Sequence, residues 1–490
     1  MTVIISEHAF EDHIEAALLG GVATSSTLRE PGPAYDTGHG TSGGFHRRTH
    51  ADYDRALCLL PNDVYDFILA TQPEAWQRLQ QHHKEDTRAR FLAKPAREIA
   101  RRGALDVLRS GIKASGVAFA LAYFRPASGL NEELARLYHG NLFAVVRQLH
   151  YSQDNENSLD VVLFLNGIPI FTAELKTPLT GQTVEHAIRQ YKRDRDPREP
   201  LLANGRCLAH FAVDPGLVYV TTHLRGEATR FLPFNRGRDG GAGNPPVPPS
   251  RDGYPTGYLW DEIWTRDSIL DLLRQFIHEV EVEDEDGKKT GDRFIIFPRY
   301  QQLDCVRRLV ADARTHGAGR RYLIQHSAGS GKSFTIAWLA HQLSTLHDAA
   351  DKRVFDSIVV ITDRRVLDRQ LQRTVRQFEQ TLGVVENIDT TSKQLKQALE
   401  EGKTIIVTTL QKFPVIAGQI SELPGKRFAV IVDEAHSSQT GESTKSMKSV
   451  LRARTLEEAE AQEAAAESPE EELENALLAE VARRGRQPNL

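Results

Sequence analysis

The sequence predicts an α/β protein of two successive units, an N-terminal α/β domain followed by a doubly wound parallel-sheet domain. Two observations carry this. Between 158 and 176 two almost wholly apolar runs, SLDVVLFL and IPIFTAELK, flank Asn166-Gly167, the signature of a buried β-hairpin. From 321 onward, short apolar runs (322–325, 357–362, 404–408 and 428–432) alternate with helical patterns, as in a parallel sheet covered on both faces. The 490 residues exceed what one core organises, and a soft prior gives about three domains.

In chain order, Phe10, Ile14, Ala17 and Leu18 fall at helical spacing, and Gly20-Gly21 ends that helix. A Gly/Ser/Thr-rich loop follows over 24–49. Helical patterns occupy 63–69, 73–81 and 88–109, and strand signals begin near Val117 and recur over 142–149 and 159–176. Residues 236–257 (RGRDGGAGNPPVPPSRDGYPTG) have too little apolar content to bury a core and are predicted to be a linker or long surface loop. A helix is expected over 263–280, and a loop or exposed hairpin over 281–293. The expected division is therefore 1–235, the 236–257 connection, and 258–490 with an acidic insertion at 456–480.

The net charge of −5 is unevenly placed: ten glutamates and no Lys or Arg lie in 456–480, so the other 465 residues carry +5. A mildly basic body permits DNA binding without demanding it. Cys58, Cys207 and Cys305 are scattered, odd in number and without metal-ligand spacing, which suits a reducing cytoplasm. Residues 1–5 carry no basic region ahead of an apolar core, and no apolar run reaches bilayer length.

Residues 322–333 (YLIQHSAGSGKS) form a strand, a Gly-rich turn and a helix start. In such a turn the backbone of Ala328, Gly329, Ser330 and Gly331 can cradle phosphates, Lys332 reaches the β/γ-phosphates and the Ser333 hydroxyl holds Mg²⁺. Downstream, VIVDEAH (430–436) is an apolar strand ending in acidic residues. Asp433 suits Mg²⁺ of Mg-ATP and Glu434 suits activation of the attacking water, with His436 linking nucleotide state to the rest of the domain. His326 stands where the strict phosphate-loop pattern has glycine.

The 158–176 hairpin carries Asp160 at the start of one strand and Glu174-x-Lys176 at the end of the other. Glu174 and Lys176 are two apart and share a face. Converging carboxylates there can bind Mg²⁺, and a neighbouring lysine can position or activate water. Parity sets a condition. A plain two-residue Asn166-Gly167 loop places Asp160 opposite Ala173, with Glu174 pointing away. Convergence therefore requires an odd loop or a bulge, and Pro169 is a plausible place for one.

These segments resemble a known family. The D…ExK hairpin is similar to the PD-(D/E)xK nuclease core. The phosphate loop and DEAH resemble those of superfamily 2 motors, whose loop is more loosely written. FPRYQQ (297–302) resembles their adenine-reading Q motif, with Gln302 as base reader and Arg299 nearby. TDRRVLDRQL (362–371), TTLQKF (408–413) and SSQ after DEAH resemble elements of the type I restriction enzyme R (HsdR) subunits. That family carries a Q-x-x-x-Y element in the helix around 184–193. Here Tyr191 fits, Ala187 occupies the glutamine position, and DNA contact would rest on Tyr191, Lys192 and Arg193. Glu11, on the first helix, could be an extra acidic site residue but is taken as a helix-surface residue, and His186 is taken as structural.

The resemblance implies a PD-(D/E)xK domain joined to the first RecA-like domain of a DNA translocase, with ATP and Mg²⁺ as cofactors. It implies double-stranded DNA and the methylation (M) and specificity (S) subunits as partners, and S-adenosylmethionine serving only the assembled complex. The implied activity is ATP-dependent DNA translocation with Mg²⁺-dependent endonucleolytic cleavage distant from the recognition site. The alternative is a superfamily 2 DNA-dependent ATPase or helicase whose nuclease-like domain only clamps DNA. A single-chain restriction-modification fusion would need methyltransferase motifs, which these residues lack. In the family, a third motif and a second RecA-like domain follow, so the chain is expected to be part of a longer protein.

Overall fold

The computed structural model describes residues 6–20, 44–82, 86–126, 131–248, 253–283, 289–327, 329–362, 365–378, 385–387, 403–409 and 425–433. Two units, Met1–Gln301 and Gln302–Leu490, each hold their own sheet.

In the first unit the strands Ser158–Leu165 and Ile168–Leu175 lie at the centre of a seven-stranded mixed sheet. Its order is Phe45–Arg48, Phe143–His150, Ser158–Leu165, Ile168–Leu175, Ala209–Val213, Val218–Thr221, Leu232–Pro233. All of Ile168–Leu175 and all but the first residue of Ser158–Leu165 are buried. Their unbroken apolar sequence is therefore the pattern of strands covered on both faces rather than on one. Each large apolar side chain so enclosed stabilises the unit by roughly 1.5–3 kcal/mol.

The turn between them has two residues, Asn166 (φ +50°) and Gly167 (φ +78°), the left-handed pair a tight hairpin of this twist requires. The Asn166 side chain donates to Leu121 O and Asn141 Oδ1, both at 2.9 Å, and accepts from Leu142 N at 2.6 Å. Leu165 pairs with Ile168 and Phe164 with Pro169, but Leu163 pairs with Phe171. Ile170 is thus one extra residue, a bulge beside Pro169. Val161 consequently faces Ala173, and the next position outward sets Asp160 against Glu174.

The first helix, Glu7–Leu19, starts where Ser6 Oγ accepts from Ala9 N at 3.2 Å and stops at Gly20 in the left-handed region. It buries Phe10, Ile14 and Leu18 together with Glu11 and Glu15. The helix Val184–Arg193 packs on the strands Ile168–Leu175 and Ala209–Val213.

Several expectations are corrected. The 88–109 pattern is two helices, Thr87–Arg102 and Ala104–Ser110, separated at Gly103 (φ +83°). The helix expected over 263–280 ends earlier. His278–Glu283 is a strand paired with Lys289–Ile296, because HEVEVE alternates with period two and buries His278 and Val280. The described residues of 236–257 belong to the first unit, which runs to Gln301. Asn244 Nδ2 donates to Gly216 O at 2.9 Å, its Oδ1 accepts from Arg236 N at 2.8 Å, and Thr256 is fully buried. Short polar anchors, with the Tyr254 ring edge-on to Phe10 at 5.0 Å, thus hold a segment of little apolar content.

In the second unit four parallel strands lie in the order Val385–Asn387, Ile405–Thr409, Ser357–Thr362, Phe428–Val432. The helix Lys332–Ser344 packs against the last three. The strand expected over 322–325 is not formed, and Tyr322, Leu323 and Ile324 are exposed. Phe428–Val432 is hydrogen-bonded on one side only among the described residues, and 322–325 does not pair with its open edge. Among the described residues, no helix is long and apolar enough to cross a membrane.

A Cβ at position 167 would lie 2.5 Å from Leu60 O and 2.8 Å from Val64 N, at a φ of +78°. Gly167→Ala is therefore expected to destabilise the first unit by roughly 2–4 kcal/mol through backbone strain and clash. Urea unfolding followed by tryptophan fluorescence measures this, and a shift below about 0.5 kcal/mol, the range of neutral surface changes, would contradict it.

Candidate functional site

Register brings Asp160 and Glu174 to one face, and Lys176 joins them. Lys176 Nζ lies 3.9 Å from Asp160 Oδ2 and donates to Leu175 O at 2.8 Å and Glu7 Oε1 at 3.1 Å. Asp160 Oδ2 accepts from Leu175 N at 2.7 Å, which ties the carboxylate across the hairpin. All three residues are buried.

Glu174 is fully buried, and Arg195, just past the end of the Val184–Arg193 helix, donates to its Oε1 from Nε at 2.6 Å. Arg195 Nη2 also donates to Ser158 O at 2.7 Å. The Glu174 Oε2 has no hydrogen-bond partner. Burial pushes the Glu174 carboxyl well above the usual range, and the neighbouring Asp160 charge adds to it. Arg195 and Lys176 oppose the shift without cancelling it, since one cation paired at one oxygen does not replace the lost hydration of both.

The first helix contributes two further carboxylates. Glu7, Glu11 and Asp160 each offer one oxygen, all within 4.8 Å of one another. Glu11 is buried, which corrects its assignment to the helix surface. Its Oε2 accepts from Arg147 Nη2 at 2.9 Å and its Oε1 from Gln148 Nε2 at 2.8 Å. Burial raises the Glu11 carboxyl despite Arg147. The carboxylate oxygens of Glu7, Glu11 and Asp160 fit a hard divalent cation such as Mg²⁺ better than a soft one, and the orphaned buried Oε2 belongs to Glu174, outside that trio.

Tyr191 is fully buried, so it has no surface to offer DNA, and that expectation is corrected. Its hydroxyl is within 2.7 Å of Thr172 Oγ1, which lies 2.8 Å from His210 Nδ1. Burial lowers His210 to about 3, so this chain of polar groups is neutral. Tyr191 braces the sheet under the site. Lys192 is half-buried, and Arg193 is exposed and paired with Glu227 at 2.6 Å. His186 Nδ1 accepts from Thr183 N at 3.1 Å, a capping role.

Glu7, Gln148 and Arg195 are the site residues that sequence reasoning missed, and Glu11 is one it weighed and set aside. A signal existed for Glu11, which falls inside the apolar stripe Phe10–Ile14–Leu18 and not opposite it. Arg195 stands four residues after Tyr191, but no local pattern marks it.

In the second unit Gly329 (φ +70°) and Gly331 (φ +82°) shape the loop leading into Lys332–Ser344, and Gly331 caps that helix. Gln302 Nε2 donates to Ser330 O at 3.1 Å and Gly331 O at 2.9 Å. Gln302 is thereby engaged with the loop backbone. Ser330 Oγ is buried without a partner, an orphaned donor in a loop whose geometry suits phosphate. Lys332 and Ser333 open the helix. Asp433 follows the Phe428–Val432 strand, and its N–H donates to Ile361 O at 2.9 Å. That places it at the carboxyl ends of the parallel strands, where ligands bind in open α/β sheets. Arg299 belongs to the first unit. Ala328, Glu434 and His436 lie outside the described residues.

Residues 73–228 match the family model for the type I restriction enzyme R protein N terminus, and 301–456 match the SWI2/SNF2 ATPase. The chain is 27% identical over 322 residues to the type I restriction enzyme HindI endonuclease subunit of Haemophilus influenzae, covering 61% of this chain and 28% of that protein. To a putative type I restriction enzyme endonuclease subunit of Methanocaldococcus jannaschii it is 26% identical over 336 residues, covering 61% and 29%. A Staphylococcus aureus (strain COL) endonuclease subunit is 24% identical over 320 residues, covering 63% and 30%. The chain spans less than a third of the length of these relatives.

Glu174 binds its proton more tightly folded than unfolded, so its contribution to stability falls as pH rises from the ordinary glutamate range through its folded value. Glu174→Gln mimics the neutral form. In metal-free buffer this variant is expected to melt above wild type at pH 8, by roughly 2–4 °C per kcal/mol recovered, with the gain shrinking toward pH 5. Paired thermal melts check it; a variant melting below wild type at both pH 8 and pH 5 would show the carboxyl to be lowered.

Proposed function

We propose that this HsdR-like chain is the nuclease and first motor domain of a type I restriction enzyme's R subunit, cutting DNA in a reaction driven by ATP-dependent translocation. The observation that carries this is the convergence of Asp160, Glu174 and Lys176 on one face, in a unit that matches the R protein N terminus. A domain that only clamped DNA would have no use for a buried carboxylate with an unpaired oxygen, which costs stability.

Asp160 and Glu174 would hold Mg²⁺ in the nuclease, with Glu11 near enough to assist. A bound Mg²⁺ supplies Lewis-acid stabilisation of charge on the scissile phosphate and lowers the pKa of water. The Leu175 N–H fixes the Asp160 carboxylate, and Arg195 fixes Glu174 by one oxygen, leaving Oε2 directed elsewhere. Lys176 places a cation and its N–H donors beside the carboxylates, where it can orient water and offset charge developing on phosphate.

In the motor, Gly329, Ser330, Gly331 and Lys332 would bind the phosphates of ATP, with Ala328 completing the loop. Ser333 and Asp433 would hold the Mg²⁺ of Mg-ATP, Glu434 would orient the attacking water, and His436 would relay nucleotide state. Gln302, three residues after Arg299 in the sequence, would couple adenine recognition to the loop it already touches. Double-stranded DNA is the substrate, and Lys192 and Arg193 remain its candidate contacts. The M and S subunits would supply site recognition, and S-adenosylmethionine would act through them, in the cytoplasm.

In the assembled complex, Lys176→Ala should reduce cleavage by at least about 10²-fold, the usual weight of such a group, with ATP hydrolysis near wild type. Lys332→Ala should abolish both, because cleavage follows translocation. Parallel plasmid-cleavage and phosphate-release assays decide it. Near wild-type cleavage by Lys176→Ala would place the nuclease elsewhere, and cleavage by Lys332→Ala would uncouple it from the motor.

A further inference from the structure

Gln148 sits in the strand Phe143–His150, yet its φ is +46°, a conformation costly for a residue with a Cβ. The ladder is in register on both sides of it, with Arg147 facing Val161 and Leu149 facing Leu159. Only Gln148 is turned. In a regular strand, consecutive side chains point to opposite faces. Here Arg147 and Gln148, consecutive residues, both hold the Glu11 carboxylate, one at each oxygen. The left-handed turn is what makes that possible. Strain of this kind persists where surrounding contacts over-determine it, and here those contacts are carboxylates of the candidate metal site.

The side-chain amide has a defined sense. Nε2 donates to Glu11 Oε1 at 2.8 Å and to Asp160 Oδ1 at 3.2 Å, while Oε1 accepts from Ser158 Oγ at 2.9 Å. A flipped amide would set its oxygen against two carboxylates, which only accept when ionised. Gln148 itself is solvent-exposed, so it closes the site at its edge. Independently of this cluster, Glu174, set opposite Asp160 by the register, holds a buried Oε2 with no hydrogen-bond partner.

We infer that Gln148 is a positioning residue: its amide ties Glu11 of the first helix to Asp160 of the hairpin and sets the spacing of the carboxylates that would hold the divalent cation. This rests on the nuclease assignment and extends it by giving Gln148 a part in it. Residues that orient metal ligands without touching the metal typically account for 10–100-fold in metal affinity.

The test is Mn²⁺ binding to the nucleotide-free full chain, followed by the electron paramagnetic resonance signal of free Mn²⁺, alongside thermal melts. Gln148→Gly keeps the left-handed backbone at no cost but removes the amide, whereas Gln148→Leu removes the amide and keeps the strain. Both variants are expected to bind Mn²⁺ at least about tenfold more weakly, with the Gly variant melting at or above wild type. Wild-type affinity in Gln148→Gly would reduce the residue to a backbone feature and overturn the inference. Tighter binding would make the amide a competitor for the cation's place, and a lowered melting point in the Gly variant would make its role structural; either overturns it too. Asp160→Ala is the control. Its loss of Mn²⁺ binding separates a failure at Gln148 alone from a failure of the nuclease assignment, whereas retained binding by Asp160→Ala would overturn both.

Discussion

One extra residue in one strand decides what the first unit can do. Asn166 and Gly167 close the tightest kind of hairpin, and such a loop by itself sets Glu174 on the face away from Asp160. The bulge at Ile170 reverses that parity over the last strand residues. Everything else at the site depends on it: the Asp160 carboxylate reaching the Leu175 N–H, Lys176 coming beside Asp160, and Glu174 entering a fully buried position against Arg195. Pro169, which has no N–H to give a ladder, stands next to the bulge, so the sequence tolerates the irregularity where pairing is already weakened.

The arrangement is costly to hold. Four carboxylates, Glu7, Glu11, Asp160 and Glu174, are served by Lys176, Arg147 and Arg195, and Arg147 also pairs with Asp12 and Glu15. Burial raises both Glu11 and Glu174. A core of apolar residues would be more stable there. The surrounding sheet offsets the penalty through its two covered central strands, and a bound cation would relieve it by supplying the charge the site lacks. The left-handed backbone at Gln148 is a second cost at the same place. In the other unit the corresponding expense is smaller: Gln302 braces the glycine loop, and Ser330 Oγ is left unpaired.

Much of this was legible in the sequence because it is local. The hairpin, the two left-handed turn residues, the Ser357–Thr362 and Phe428–Val432 strands and the convergence condition on Asp160 and Glu174 all follow from periodicity, turn chemistry and parity. Contributions from far along the chain were not legible. Glu11 reaches Asp160 across 149 positions of sequence, and Arg195 reaches Glu174 from beyond the end of a helix. Tyr191 looked available to DNA because helical patterning marks a polar face without saying which turn is covered; the sheet covers it. The 236–257 segment misled for the converse reason, since polar anchors such as Asn244 and a single ring, Tyr254 on Phe10, can fix a chain of little apolar content. Residues 322–325 have strand composition, but composition supplies no partner strand.

The central claim is that the bulge builds one divalent-cation site from Asp160 and Glu174. Its most direct measurement is anomalous diffraction from crystals of the chain grown with Mn²⁺ and no nucleotide. The account predicts a strong anomalous peak within coordination distance of both carboxylates, about 2.0–2.2 Å, with Glu174 Oε2 among the ligands. Full Mn²⁺ occupancy elsewhere in the first unit, with Glu174 held only by Arg195 and no peak beside Asp160, would contradict it.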